Sequence, residues 1–201
     1  MLLIGGDDIN LRASLATELS ALGWQVSLLG SARPQEIPES VGDFHLYSLS
    51  RDFNIFADLK AIWQLRKILK NNRYDVVHAF DTKPGIFVPL AAIGTGQRIV
   101  RTITGLGRLF VENDLLSRTL RGVYGVCHKL VSRGVTTTIF YNQSDRDYFV
   151  DNGLTSAERA HIVPGSGIDL NRFSKSNFDE QQIEALRKQI GIREDLSLIH
   201  I

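Results

Sequence analysis

The chain has 201 residues, 43% of them apolar and 22% charged, with a formal charge of +1 at pH 7. Those proportions belong to an ordinary soluble globular protein of one large domain, or one domain and a piece of another. They argue against a bulk nucleic-acid binder, and no run of about 18 apolar residues exists to cross a membrane. Cys127 stands alone, which excludes an internal disulfide and a multi-cysteine zinc site. The opening MLLIGGDDIN lacks a basic flank and turns acidic early, so it does not read as a signal peptide, and the expected compartment is the cytoplasm.

Taken in chain order, MLLIGG reads as a buried strand over 1–5. Residues 10–22 follow as a helix with Leu11, Leu15, Leu19 and Leu22 on one face, closed by Gly23. A second strand is expected at 25–29 and a third in FHLYSLS, residues 44–50. Residues 55–71 carry Ile55, Leu59, Ile62, Leu65 and Leu69 at helical spacing. YDVVHAF reads as a strand over 74–79, GIFVPLAAIG as a helix and RIVRTIT as a strand over 98–103. A long helix spans roughly 114–133. A strand at 136–140, a short helix in QSDRDYFVDNG and a last strand at 160–163 close the pattern. Strands separated by helices in this rhythm predict an α/β fold, a Rossmann-like parallel sheet with helices on both faces.

In open sheets of this kind ligands bind outside the carboxyl ends of the strands. Those ends carry Gly5-Gly6-Asp7, the stretch His78–Lys83, Thr104-Gly105-Leu106-Gly107-Arg108 and Pro164-Gly165-Ser166-Gly167. Glycine admits a ligand to the backbone, and a following helix offers unpaired N–H groups to an anion. Each loop also has a plainer reading. Gly5-Gly6 can be a tight turn, and GGDDIN lacks the third glycine of the dinucleotide fingerprint. His78 can be a hydrogen-bonded core histidine, Lys83 a solvated lysine, and Gly105 and Gly107 simple turn-formers.

The set of motifs resembles the N-terminal domain of bacterial family 4 glycosyltransferases, enzymes of GT-B fold that assemble surface polysaccharides and lipid-linked oligosaccharides. The matching stretches are Asp75-Val-Val-His78, Thr82-Lys83-Pro-Gly85 and Thr102-Ile-Thr-Gly105-Leu-Gly107. A closing segment, Ile139 to Phe173, contains a Gly-Ser-Gly turn before Asp169. The resemblance covers nearly 1–173 and implies half of a GT-B architecture, an acceptor-binding domain. Residues 174–201 are then a linker and the truncated start of the donor-binding domain. It implies a retaining transfer of a hexose or N-acetylhexosamine from a nucleotide sugar, in all expectation a UDP-sugar, to a lipid-linked or glycan hydroxyl. No metal or other cofactor is expected.

Carried over position by position, Gly5, Gly6 and Arg12 lie near the donor diphosphate. His78, Asp81, Lys83, Thr104, Gly105, Arg108, Gly165 and Ser166 form the acceptor cleft, with Lys83 meeting an acceptor pyrophosphate. Thr104 departs from the pattern, because many relatives carry a histidine there. The catalytic residues belong mainly to the donor domain, so the 201-residue chain is expected to be inactive alone.

Residues 98–133 hold Arg98, Arg101, Arg108, Arg118, Arg121, Lys129 and Arg133 against Glu112 and Asp114. A basic amphipathic helix with Arg118, Arg121, Lys129 and Arg133 can lie on anionic lipid, on the inner face of the cell membrane. The same pattern describes a core helix with a solvated face, and which of Leu115, Val123 and Val126 point outward depends on a rotation the sequence leaves open. His128 joins the charge only at lower pH. Two rival functions remain. One is a nucleotide-binding oxidoreductase, favoured by Gly5-Gly6, with Asp43 near the distance for a ribose carboxylate. The other is a non-catalytic binding module.

Overall fold

The computed structural model describes residues 1–6, 8–34, 36–50, 54–107, 110, 114–168, 170–171 and 173–193. The chain divides into two compact units, Met1–Ser166 and Gly167–Ile201. In the first, β1 (Leu2–Ile4), β2 (Val26–Gly30), β3 (Val41–Leu46), β4 (Val76–Phe80), β5 (Arg98–Ile103), β6 (Thr137–Phe140) and β7 (Ala160–Ile162) form one sheet. Its order is β3-β2-β1-β4-β5-β6-β7, and every neighbouring pair is parallel. The helices are α1 (Ile9–Ala21), α2 (Ile55–Asn71), α3 (Thr82–Ala91), α4 (Leu115–Val131) and α5 (Gln143–Asp151). In the second unit α6 (Glu180–Gln189) is capped by Asp179, whose side chain accepts from the Gln181 N–H.

The chain winds outward from β1 to β3, then returns to β4 on the other side of β1. Right-handed crossovers therefore place α1 on one face and α2 to α5 on the other. The packing agrees. Ile9, Ala13 and Ala16 of α1 meet Leu3, Val26, Leu28 and Phe80, while Ala61, Leu65 and Leu69 of α2 and Val88 of α3 meet Leu2, Ile4, Val77 and Ala79. A third cluster joins Ile103, Tyr124, Phe140, Phe149 and Leu154. The reversal of winding between β1 and β4 opens a crevice at their carboxyl ends, which is where sheets of this order bind ligands.

Beside that third cluster Arg101 is fully buried, and among the described residues it has no carboxylate partner. It donates from Nε to Thr138 Oγ1 at 3.1 Å and from Nη2 to the Leu154 carbonyl at 2.9 Å. Its Nη1 lies 2.8 Å from His128 Nδ1, so the imidazole is neutral and accepts there. Burial, and then the Arg101 charge, lower the His128 pKa to about 2. Arg101 itself falls to about 10, chiefly by burial. Neither side chain belongs to a basic surface, and His128 does not add charge to α4 in mildly acid solution.

Two helix faces and one strand differ from the sequence-based expectation. On α1 the sheet is met by Ile9, Arg12, Ala13 and Ala16, whereas Leu11 and Leu22 are exposed. The small alanines let the helix approach closely, and a Cβ on Gly30 would come within 2.9 Å of Ile9 Cγ1. On α2 the buried line is Ala61, Leu65 and Leu69, and Ile55 and Leu59 face solvent. The third strand is Val41–Leu46, earlier than 44–50, because the pairing of Val26 with Val41 sets its register. Tyr47 then leaves the strand but stays buried, donating its hydroxyl to the Gly5 carbonyl at 3.1 Å.

Candidate active site

A cavity of about 490 Å³ lies at the carboxyl edge between β1, β4 and β5. Gly6, Asp8, Leu49, Ser50, Asp81, Thr82, Lys83, Pro84, Thr104, Gly105 and Gly107 line it. Three strand-to-helix loops thus converge on one pocket, as the switch in winding requires.

The wall nearest α3 is the most built. Asp81 ends β4 with φ 72, a left-handed conformation that non-glycine residues rarely hold. Its N–H donates to the Thr102 carbonyl at 3.1 Å, and its own carbonyl accepts from the Gly85 N–H at 2.9 Å. Its carboxylate accepts from Thr104 Oγ1 at 2.8 Å. Strand β5, through Thr102, and the first turn of α3 therefore fix the backbone on both sides of the turn, and the carboxylate holds Thr104. Lys83 stands in that first turn, its Nζ 2.7 Å from Asp58 Oδ1 of α2, with both side chains about one-fifth exposed. An ammonium beside the N-terminal N–H groups of a helix is suited to an anionic ligand. Gly105 and Gly107 leave open space above the backbone, and Gly107 has φ 72.

The floor below the first loop is made differently. Arg12 is 1% exposed. Its guanidinium lies 3.9 Å from the Phe80 ring centre, and it donates to Asp8 Oδ2 at 2.5 Å and to Ser166 Oγ at 3.4 Å. Gly5 is small because Arg12 crosses it: an added Cβ would meet Arg12 Cγ and Asp8 Oδ1 at 3.2 Å. Ser166 also hydrogen-bonds Tyr141. Gly165, with φ 78, turns the chain there. His78 stacks on Phe80 with ring centres 4.0 Å apart, and its Nε2 lies 2.7 Å from Thr102 Oγ1. Burial, then the nearby Arg12 charge, lower its pKa to about 3, so it is neutral.

The structure thus brings Gly6, Asp81, Lys83, Thr104 and Gly105 together in one pocket. It sets Gly5, Arg12, His78 and Ser166 in the hydrogen-bonded layer around Phe80, with Gly165 in the turn before Ser166. Arg108 lies outside the described residues. Asp8, Leu49, Ser50 and Asp58 were missed. The spacing of Asp8 and Arg12, four apart at a helix start, was a legible signal; the reach of Asp58 to Lys83 across 25 positions was not. Asp43 is exposed in the middle of β3, away from the carboxyl edge, so it does not stand where a dinucleotide ribose would need a carboxylate. Among the described residues no group of His, Cys, Asp and Glu is arranged to hold a metal ion.

On α4 the rotation is now defined. Ser117, Tyr124, His128 and Val131 face inward. Leu115, Val123, Val126 and Leu130 face solvent beside exposed Arg118 and Lys129, and Arg133 is exposed just beyond the helix. Arg121 is half-buried and donates to the Ser117 carbonyl at 3.4 Å. No described helix is long and apolar enough to cross a membrane.

Comparison with known proteins gives a concordant picture. The chain is 25% identical over 139 residues to the Escherichia coli UDP-Gal:alpha-D-GlcNAc-diphosphoundecaprenol alpha-1,3-galactosyltransferase, covering 69% of this chain and 35% of that protein. It is 26% identical over 150 residues to the Campylobacter jejuni N,N'-diacetylbacillosaminyl-diphospho-undecaprenol alpha-1,3-N-acetylgalactosaminyltransferase, covering 73% and 39%. The chain therefore spans little more than a third of the length of these curated relatives. Among solved structures, sucrose-phosphate synthase from Thermosynechococcus elongatus superposes with TM-score 0.68 at 15% identity, over 96% of this chain and 53% of that one. Anabaena HepE in complex with UDP and glucose gives 0.64 at 17% identity, over 94% and 50%. At such identities the structural likeness shows the fold alone: a Rossmann-like sheet shared with GT-B enzymes. The Glycosyl transferase 4-like domain matches residues 12–165, more than half of the sequence, and the chain belongs to that family.

Proposed function

We propose that this chain is the acceptor-binding part, residues 1–173, of a retaining glycosyltransferase. The whole enzyme would move a hexose or N-acetylhexosamine from a UDP-sugar to a sugar carried on a lipid diphosphate, in surface polysaccharide or glycoconjugate assembly. Residues 174–201 begin the link to a donor-binding domain. The observation that carries this reading is the placement of Lys83. Its ammonium and the first turn of α3 stand at the wall of the pocket, where a diphosphate finds charge and N–H donors together. The names of the two curated relatives, both transferases acting on diphosphoundecaprenol-linked sugars, support the same acceptor class.

In this reading Asp81 and Thr104 orient the acceptor sugar, and Gly105 and Gly107 let it approach the backbone. Gly6 faces the donor diphosphate, with Arg12 holding that loop from beneath. No metal takes part, and the leaving UDP is stabilised by the donor domain. The outward face of α4, with Arg118, Lys129 and Arg133 beside Leu115, Val123 and Val126, gives peripheral contact with the inner membrane surface, where such acceptors reside. The 201-residue chain binds acceptor and does not turn over.

The test is sugar transfer by the whole enzyme to a short-chain polyprenyl-diphosphate-linked sugar. Lys83→Ala is expected to raise the acceptor KM and leave the UDP-sugar KM unchanged. Equal effects on both substrates, or none, reject the assignment.

A further inference from the structure

Helix α2 buries one face against the sheet through Ala61, Leu65 and Leu69, yet it carries a second apolar stripe that is exposed among the described residues. Ile55, Phe56, Leu59 and Trp63 are 75, 86, 59 and 63% exposed. At 100° per residue Ile55, Leu59 and Trp63 form one inclined row, with Phe56 beside it. Fold stability gains nothing from four large side chains in water, two of them aromatic, and a contiguous patch of this kind marks an interaction surface. Along the outward side of the same helix stand exposed Lys60, Lys67 and Lys70, with Lys67 Nζ 5.8 Å from the Trp63 ring centre. The one carboxylate of α2, Asp58, is turned away to Lys83. Among the described residues of α2 the outward face is therefore apolar and cationic, without acid.

We infer that this face of α2 docks on an anionic phospholipid surface, with Phe56, Leu59 and Trp63 entering the interface and the lysines meeting headgroup phosphates. Charge decides the occupant. A protein partner has no general need for an all-lysine border, whereas a bilayer bearing negative lipid rewards each basic residue near it and accepts aromatic side chains at headgroup depth. The lysine stems reach along apolar surface and keep their ammonium groups wet. Position adds a consequence. The helix starts at the carboxyl edge of the sheet, and the Asp58–Lys83 pair ties its first turn to the pocket wall. Inserting the apolar turn brings the pocket mouth to the level of the headgroups, where the diphosphate of a lipid-linked acceptor lies. That consequence rests on the proposed function, but the docking does not.

The test uses the 201-residue chain with Trp24→Phe, which leaves Trp63 as the one tryptophan. The vesicles are equal parts phosphatidylglycerol and phosphatidylethanolamine, against pure phosphatidylcholine, and neither contains a glycolipid. The expected result is a blue shift of Trp63 emission and protection from acrylamide on anionic vesicles alone. Partitioning should fall about tenfold in Phe56→Ser/Leu59→Ser, with an unchanged circular dichroism melt because both side chains are exposed. Failure to bind anionic vesicles, co-sedimentation with Trp63 emission unchanged, or partitioning unaffected by the double substitution overturns the inference. So does a blue shift that follows protein concentration without lipid, which makes the patch a contact between copies. Since no sugar acceptor is present, none of these results bears on the pocket, and the Lys83→Ala kinetics judge that separately.

Discussion

Acidification from pH 7 to pH 5 should destabilise the chain through two neutral histidines. His78 and His128 have an ordinary pKa of 6.5 that the fold lowers to about 3 and about 2, in both cases mainly by burial and next by an arginine. The sign follows from linkage. The unfolded chain takes up these protons below 6.5 and the native chain does not, so the stability is complete above 6.5 and is lost as pH falls toward the native values. At pH 5, some 1.5 units below 6.5, each histidine costs about 2 kcal/mol at 1.36 kcal/mol per unit, about 4 kcal/mol together. Against a total of roughly 5–15 kcal/mol for a domain this is a large fraction. The groups facing them leave no escape: Arg12, Phe80 and Thr102 surround His78, and Arg101, Tyr124 and Phe149 surround His128. Asp114 and Asp147, both held below the ordinary 3.8 by hydrogen bonds, titrate under this window. Urea unfolding followed by circular dichroism should show the midpoint falling by about 2 M between the two pH values, for a slope of about 2 kcal/mol/M. In His128→Gln, whose amide oxygen still accepts from Arg101, the pH-dependent part should halve. An unchanged midpoint, or an NMR titration of either ring near 6.5, refutes the reasoning.

Three further outcomes are expected. Asp81→Gly removes the Thr104 acceptor but suits φ 72, so the Tm should move little, with gain and loss each about 1 kcal/mol, while acceptor affinity in the whole enzyme falls. Arg12→Ala leaves Asp8 unpaired and uncovers Phe80, and should cost about 3 kcal/mol in urea unfolding; a near-neutral result would mean the arginine does not organise the first loop. Arg118→Glu/Lys129→Glu should weaken sedimentation with anionic liposomes at low salt and lose its effect as salt screens the charges. Equal binding by the parent chain, or none by either protein, rejects α4 as a docking face.

The strand and helix order was legible because the apolar runs alternate with helical spacing, and so was the edge on which the glycine loops gather. What the sequence hid was depth. Leu11 and Leu22 read as core because leucine at helical spacing usually is, yet α1 approaches the sheet through alanines and leaves them in water. Arg12 matches a loop that meets diphosphate, yet it is buried over Phe80, a contact set by the pairing of β4 with β1. His78 shows the same limit: its place at a strand end suits a ligand contact as well as a core bond, and the Thr102 hydroxyl one strand away decides its partner. The α2 patch escaped notice because Ile55 and Leu59 satisfy the same periodicity as the buried residues. Only the position where the helix meets the sheet separates the two stripes.

The pocket is tested most directly by titrating the isotopically labelled chain with a short-chain polyprenyl diphosphate bearing N-acetylglucosamine, followed by amide NMR shifts. Binding should move the amides of Thr82, Lys83, Thr104 and Gly105, and Lys83→Ala should weaken it ten- to hundredfold, the loss of a charge-assisted contact of about 1.5–3 kcal/mol. Shifts confined to other surfaces, or equal affinity in the Lys83→Ala chain, would contradict the account.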